Sequence, residues 1–544
     1  MVLGAGAFLF YTFNAQTVVK LNMRVTRETM YIVIGAIGIL VLAELCRRSV
    51  GLPILCVAGF FLIYTLVTLW NKGGIPLVVY KLFYGDSGVL STPINVCSKY
   101  IVVFIIFGAF LERTGISDFF ISLANSLCGR FAGGPAKVAV VSSALCGMVS
   151  GSSVGNTVTT GSVTIPMMKK TGYKAEFAGA VEAAASTGGQ IMPPIMGAAA
   201  FLMAEYMGVS YATVAVTAIL PAVLYFTGIY IAVHLEARKL GLKGIPRDQL
   251  PKLRVLIKKI YLLAPLVVLV STNKKTMQFS AAVAILVAIL VGLINKDDRI
   301  TITKIIDALE AGGKGTITVA VACAMAGIVA GCITVTGLAS KLITAIVSVS
   351  GGHTMIALVL TMLCCIVLGM GVPTTANYCI MAATCAPILM NPQIGVPAMA
   401  AHFFVFYFGI VADITPPVAL AAYAGSAIAK APPMKTAFNA TKLAIAAFIV
   451  PYIFAKNPAM LLVNVENPFQ VVQIVLSSLV GLFGVAAALN GFLYRPINPL
   501  FRLALVAGGL GMMIPGTLTD VIGLAVVVAV VLLQRAAAKR EAVQ

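Results

Sequence analysis

Apolar and polar positions along this chain segregate on the scale of whole helices. Apolar runs fall near 30–46, 53–71, 98–111, 212–234, 258–271, 277–295, 315–336, 354–370, 396–412, 437–455, 470–491, 501–516 and 518–534. Many approach the roughly 20 residues that a membrane-spanning helix requires. Sequence this uniformly apolar cannot be divided by periodicity, so the breaks are set by clusters of charge, proline and glycine. Four further stretches, 147–168, 183–200, 369–391 and 409–425, are apolar yet crowded with Gly, Ser, Thr, Asn and Pro. Such segments make poor lipid-facing helices and predict broken helices or re-entrant hairpins.

Composition narrows the class. Of 544 residues, 60% are hydrophobic and 10% charged, against about 25% charged in an ordinary soluble domain. A soluble globular enzyme is thereby excluded. The 50 Gly and 25 Pro also exclude a coiled coil, whereas membrane helices tolerate both residues. The expectation is an all-α polytopic membrane protein. Its net charge of +20 does not point to nucleic acid, because no basic stripe is interleaved with stacking aromatics. The basic residues instead lie between apolar runs, as cytoplasmic loops do. The densest stretch, Arg238 to Lys259, is read as a cytoplasmic connector between two halves of the protein. Eleven cysteines without Cys-x-x-Cys spacing read as small core residues. Met1 to Phe13 has no basic flank or evident cleavage site and reads as a membrane segment, not a signal peptide.

An internal repeat carries the functional signal. Ser153, Asn156 and Pro166 are followed by Pro193-Pro194; Thr374, Asn377 and Pro387 are followed by Pro416-Pro417. In both copies the hydroxyl residue precedes Asn by 3 positions and Asn precedes Pro by 10. Matching Gly/Pro-interrupted segments in two halves of a membrane protein point to a secondary-transporter binding site. A hairpin that ends within the membrane leaves backbone N–H and C=O groups free to hold an anion and a cation. The side chains at the expected tips, Ser152, Ser153, Asn156, Thr157, Thr374, Thr375 and Asn377, are neutral oxygen donors suited to a hard cation.

Rival readings exist for these residues. Gly151 to Gly155 matches Gly-x-Ser-x-Gly, so an intramembrane serine hydrolase using Ser153 is one alternative, although the elbow requires a strand-turn-helix context and a His base. A purely structural membrane partner is another. Gly147, Gly151 and Gly155 also form a small-residue face suited to close helix packing. Glu182 and Asp413 lie in apolar sequence beside the proposed breaks and are coupling candidates, the alternative being buried hydrogen-bonded struts. Counted back from the proline pairs, Asp413 falls opposite Gln190. His402 reads as a satisfied core histidine. No phosphate loop is present, which leaves an ATP-driven pump unsupported.

The run from Gly147 to Gly197, together with LGMGVPTTANY at 368–378, AAHFFVFYFG at 400–409 and ITPPVALAAYAG at 414–425, closely resembles the DctM large membrane subunit of tripartite ATP-independent periplasmic (TRAP) transporters. The details resemble the fused-permease branch that works with TAXI-type binding proteins. The resemblance covers roughly residues 43 to 460. It implies an inverted-repeat, elevator-type transporter with two re-entrant hairpins and broken helices, located in the bacterial inner membrane. The implied parts are small-subunit-like helices at 1–75, fewer than a complete four-helix small subunit; a first repeat at 76–235; the connector at 236–260; a second repeat at 261–460; and additional helices at 461–544. The implied cation sites are Ser152, Ser153 and Asn156 with Gly188 and Gly189, and Thr374, Thr375 and Asn377 with Thr415. Substrate is implied between them, near Ser153, Thr157, Thr187, Pro193, Thr374 and Pro416. The implied activity is import of dicarboxylates such as 2-oxoglutarate or C4 acids. It would be coupled to Na+, or to H+ through Asp413 or Glu182, with no organic cofactor and with a periplasmic TAXI-type binding protein as partner.

Overall fold

Gly and Pro set where the apolar runs of this chain start and stop. Helix Leu52–Leu69 begins after Gly51, whose φ is 113°, and carries proline in its first turn; Gly337 in the left-handed region ends helix Ile302–Thr336. The structure, a computed structural model, describes residues 2–272, 276–465, 467–513 and 516–543. The protein is a multi-pass membrane protein of all-helical architecture: ten of its described helices are long and apolar enough to cross a bilayer. Among the described residues the only β pairing is an isolated bridge between Phe492 and Pro496. The expected run 501–516 extends into residues 514–515, which lie outside the described residues.

Helix Ile302–Thr336 is the spine. Its most apolar window is 67% buried, against 17–28% for the three spans between Val2 and Lys72. It packs on Thr29–Ser49, Leu52–Leu69, Val102–Glu112 and Thr374–Thr384. Three helices precede residue 75; beyond the two clear spans read from sequence, Val2–Leu21 carries the membrane segment read at Met1 to Phe13 further along the chain. Helix Leu338–Ser350 is not among the expected runs, because its polar face interrupts the apolar pattern.

The Gly/Pro-rich stretches are where the chain turns back or breaks. Helices Gly134–Ser150 and Ser153–Lys170 form a hairpin turned by Gly151 in the left-handed region. Ser143 Oγ meets Thr160 Oγ1 across its arms at 3.1 Å. The next helix, Ala175–Gly189, stops at Gln190, and helix Ala198–Met207 resumes after an irregular turn containing Pro193-Pro194. The second copy repeats the plan: Thr354–Gly369 and Thr374–Thr384, then Ala398–Val411 and Leu420–Ala429 either side of Pro416-Pro417. Both proline pairs contain a cis peptide bond.

Close backbone crossings hold these pieces together. A Cβ on Gly147 would lie 2.6 Å from Gly189 Cα, and one on Gly189 would lie 2.5 Å from Gly147 Cα. Of the three glycines read as a packing face, Gly147 makes the tightest crossing; Gly151 makes the turn and also lies close against the backbone of Gly197 and Met196, where a Cβ would come within 3.3 Å, and Gly155 meets only Ser152. Gly147→Ala should therefore destabilise the protein by about 1–3 kcal/mol, the usual cost of overpacking. Gly313→Ala, where an added Cβ meets nothing within 4 Å, should be neutral or slightly stabilising, since alanine favours a helix over glycine. Thermal unfolding in detergent compares the two.

The connector after Lys239 contains only short turns at Arg247–Gln249 and Leu253–Ile257. The C-terminal helices Pro468–Asn490, Pro499–Gly511 and Thr517–Val543 pack together, the first of them against Tyr211–Lys239. Asn490 Nδ2 donates to Glu236 Oε2 there at 3.1 Å.

Candidate functional site

Four helices begin at the wall of one cavity of about 470 Å³: Ser153–Lys170, Ala198–Met207, Thr374–Thr384 and Leu420–Ala429. The first N–H groups of a helix have no partner within it, and the helix dipole adds positive potential there, so converging N-termini favour an anion. Ser152, Ser153, Thr374, Thr375 and Asp413 border this cavity, and no Lys or Arg does. Its far wall comes from helices outside the hairpins, with Phe104, Glu112 and Thr318 among the residues contributed.

The two copies meet at Asp413. Ser153 Oγ, at the first tip, donates to Asp413 Oδ2 in the second broken helix at 2.5 Å. Gln190, three residues before its own proline pair as Asp413 is before its own, faces the same carboxylate. The positions paired by counting in sequence are thus neighbours in space. Ser152 caps its helix by accepting from Gly155 N at 3.1 Å.

Behind each tip lies a buried asparagine. Asn156 Nδ2 donates to Ser143 O at 2.9 Å and Ser186 Oγ at 3.2 Å; Asn377 Nδ2 donates to Gly409 O at 3.0 Å. Ser186 and Gly409 both stand seven residues before a proline pair. Each asparagine therefore reaches the equivalent point of its own broken helix. Asn156 Oδ1 and Asn377 Oδ1 are both buried without a hydrogen-bond partner. An unsatisfied buried acceptor costs roughly 1–3 kcal/mol, and here it recurs in both copies. Neutral oxygens of this kind are suitable ligands for a hard cation.

Glu182 is enclosed differently. It is fully buried and accepts from Ser143 Oγ and Thr160 Oγ1, from Thr164 Oγ1 at 2.5 Å and from Ser186 Oγ at 3.2 Å. These hydroxyls come from both hairpin arms and from its own helix, and Glu182 does not border the cavity. Sequence reading missed the cradle, although Thr160 and Thr164, like Glu182 and Ser186, are spaced to share a helix face.

Other expected residues lie elsewhere. Thr157, Thr187 and Thr415 turn their hydroxyls onto Ser153 O, Ala183 O and Val411 O of their own helices, each at 2.8 Å, and none borders the cavity. Gly188 packs beneath Tyr225, and Gly189 is the crossing partner of Gly147; their carbonyls accept from Ile191 N and Met192 N at 3.1 and 3.2 Å. Pro193 borders a separate, largely apolar cavity of about 720 Å³, and Pro416 does not border the central one. Ser153 is engaged by a carboxylate, not by a histidine base. His402 Nδ1 meets Tyr378 OH at 2.7 Å, His234 Nδ1 meets Lys137 Nζ at 3.0 Å, and His353 precedes the first residue of a helix.

Comparison with known proteins bears on this arrangement. Residues 37–469 match the family model of the tripartite ATP-independent periplasmic transporter, DctM component. The chain is similar to the C4-dicarboxylate TRAP transporter large permease protein DctM of Vibrio cholerae, 28% identical over 217 residues, 39% of this chain and 44% of that one. A Haemophilus influenzae protein named for a TRAP large permease is 26% identical over 337 residues, 60% of this chain and 81% of that one. The isethionate TRAP transporter permease protein DctMQ of Oleidesulfovibrio alaskensis is 31% identical over 145 residues, 27% of this chain and 22% of that one. The aligned part thus spans less than half the length of the Vibrio relative.

Proposed function

We propose a transport cycle for this chain on one premise: it belongs to the family of DctM components of tripartite ATP-independent periplasmic transporters. It is a transporter component and not an enzyme. In our reading it imports small dicarboxylates, C4 acids or 2-oxoglutarate, across the bacterial inner membrane, driven by sodium. A periplasmic substrate-binding protein of the TAXI type delivers the acid.

The observation that carries this reading is the repeat-related pair of unpartnered buried oxygens, Asn156 Oδ1 and Asn377 Oδ1, behind tips that border one cavity. Each offers a cation the start of a ligand set, and the cavity between them offers an anion four helix N-termini. Asp413 adds a negative charge to that cavity without a lysine or arginine to offset it. A dianion is therefore favoured only together with cations. Voltage requires the same: each charge crossing 100 mV is worth about 2.3 kcal/mol, so a dianion entering an inside-negative cell needs at least two cations to avoid opposition. Substrate and cations then move together in the unit of hairpins and broken helices past the helices around Ile302–Thr336, an elevator motion. The cradle of Glu182 suits a strut that fastens this unit. Proton coupling at Asp413 is the second reading, favoured by its single hydroxyl donor within hydrogen-bond distance in the cavity wall.

Labelled dicarboxylate uptake into proteoliposomes, under a sodium gradient and separately under a proton gradient, tests the proposal. Uptake driven by sodium is expected. Uptake driven only by protons would move coupling to Asp413, and none under either gradient, with the binding protein supplied, would refute import of these acids.

A further inference from the structure

We infer that Glu112 is a cation ligand facing the first hairpin, forming with Ser150, Asn156 and Thr159 a site through which the coupling cation passes between its buried position and the cytoplasm. The inference rests on the cation-coupled reading above. Glu112 ends helix Val102–Glu112, which belongs to neither hairpin. It borders both the central cavity and a second one of about 10 Å³. That volume is close to the least that admits one water-sized sphere, so it accommodates a single small ion.

The polar residues around this small cavity are equipped for a cation. Asn156 is 1% exposed and borders it, with Oδ1 unpartnered; Ser150 Oγ is also buried without a partner. Thr159 commits its hydrogen to Gly155 O at 3.0 Å, which leaves its oxygen free to accept. Among the described residues Glu112 forms no ion pair, and the adjacent Arg113 turns to Asp307 at 3.9 Å. One carboxylate and several neutral oxygens are the donor set of a hard cation. Apolar Phe120 and Val149 complete the wall.

The position also gives a direction. Beyond Glu112, Thr114 O accepts from Asn295 Nδ2 at 3.0 Å, and Asp297 pairs with Lys259 of the basic connector. By the positive-inside rule this is the cytoplasmic end. Glu112 is carried by a different element from Asn156, so motion of the hairpin past it would make and break the shared site. That is a route for cation release.

The test is the sodium dependence of thermal stability of the purified full-length protein, with dicarboxylate affinity measured at saturating sodium. Glu112→Gln should raise the half-saturating sodium concentration at least fivefold, a larger factor than any change in dicarboxylate affinity at saturating sodium, and Glu112→Asp should restore most of it. Ser150→Ala should shift it in the same direction by a smaller factor. A Glu112→Gln protein that melts normally without sodium and keeps wild-type sodium affinity, while Asn377→Ala shifts it, would overturn the inference and leave the coupled reading standing. Should Glu112→Gln fail to fold, wild-type sodium affinity in Ser150→Ala overturns it. A wild-type protein indifferent to sodium would remove both.

Discussion

Asp413→Asn should leave the protein folded but raise the sodium concentration for half-maximal uptake at least tenfold. The substitution is isosteric, and Ser153 Oγ, which donates to Asp413 Oδ2 at 2.5 Å, can donate equally well to an amide oxygen. Packing around the second break is therefore kept, and the melting temperature should move little. What is lost is a negative charge in a cavity wall that contains no lysine or arginine. At an effective dielectric constant of about 20, a carboxylate roughly 5 Å from a cation attracts it by about 3 kcal/mol. Solvation of the carboxylate offsets part of this, and a tenfold effect corresponds to only about 1.4 kcal/mol. Uptake measured across sodium concentrations reads the shift directly. An unchanged sodium dependence would remove Asp413 from coupling.

Glu182→Ala should have the largest effect on stability. Its carboxylate collects hydroxyls from three helices: Ser143, Thr160 and Thr164 on the hairpin arms, and Ser186 on its own helix. Thr160 and Thr164 have backbone oxygens to fall back on, Asn156 O at 2.7 Å and Thr160 O at 3.1 Å. Ser143 can turn to Thr160 Oγ1 at 3.1 Å, but for Ser186 the carboxylate is the main acceptor. One unsatisfied buried hydroxyl at roughly 1–3 kcal/mol, with a cavity left behind that costs about 2 kcal/mol or more, amounts to a loss of about 3 kcal/mol or more. Glu182→Gln keeps the volume, and the hydroxyls can reorient to meet an amide. Melting in detergent should separate the two, with the alanine variant falling by several degrees or failing to accumulate and the glutamine variant staying near wild type. If the glutamine variant instead melts normally but loses ion coupling, Glu182 is a coupling residue and not a strut.

How far the sequence leads is clear from particular residues. The repeat gave the tips, the breaks and the paired asparagines, because glycine, proline and asparagine in membrane helices are placed for backbone reasons that leave a mark in spacing. Counting from the proline pairs even brought Gln190 opposite Asp413. The limit comes where a side chain may face either way on a helix. Thr157 and Thr187 look like tip or break ligands by position, yet they bond to carbonyls of their own helix, a habit of helical threonine that spacing does not reveal. Glu112, Phe104 and Thr318 carried no local signal, since each sits in or beside an apolar run like any other. The Ser153–Asp413 contact joins residues 260 apart, a proximity that only the folded chain creates. The helix Val2–Leu21 was recognised only in part, because Asn14, Gln16 and Thr17 interrupt its apolar character.

In this reading the repeat builds two cation sites, each headed by one asparagine. Equilibrium binding of labelled sodium to the purified protein, in the presence of a dicarboxylate, counts them. Wild type should bind two sodium ions, Asn156→Ala and Asn377→Ala one each, and the double variant none, all in protein that elutes as folded. Two ions still bound by the double variant would show that neither asparagine heads a cation site.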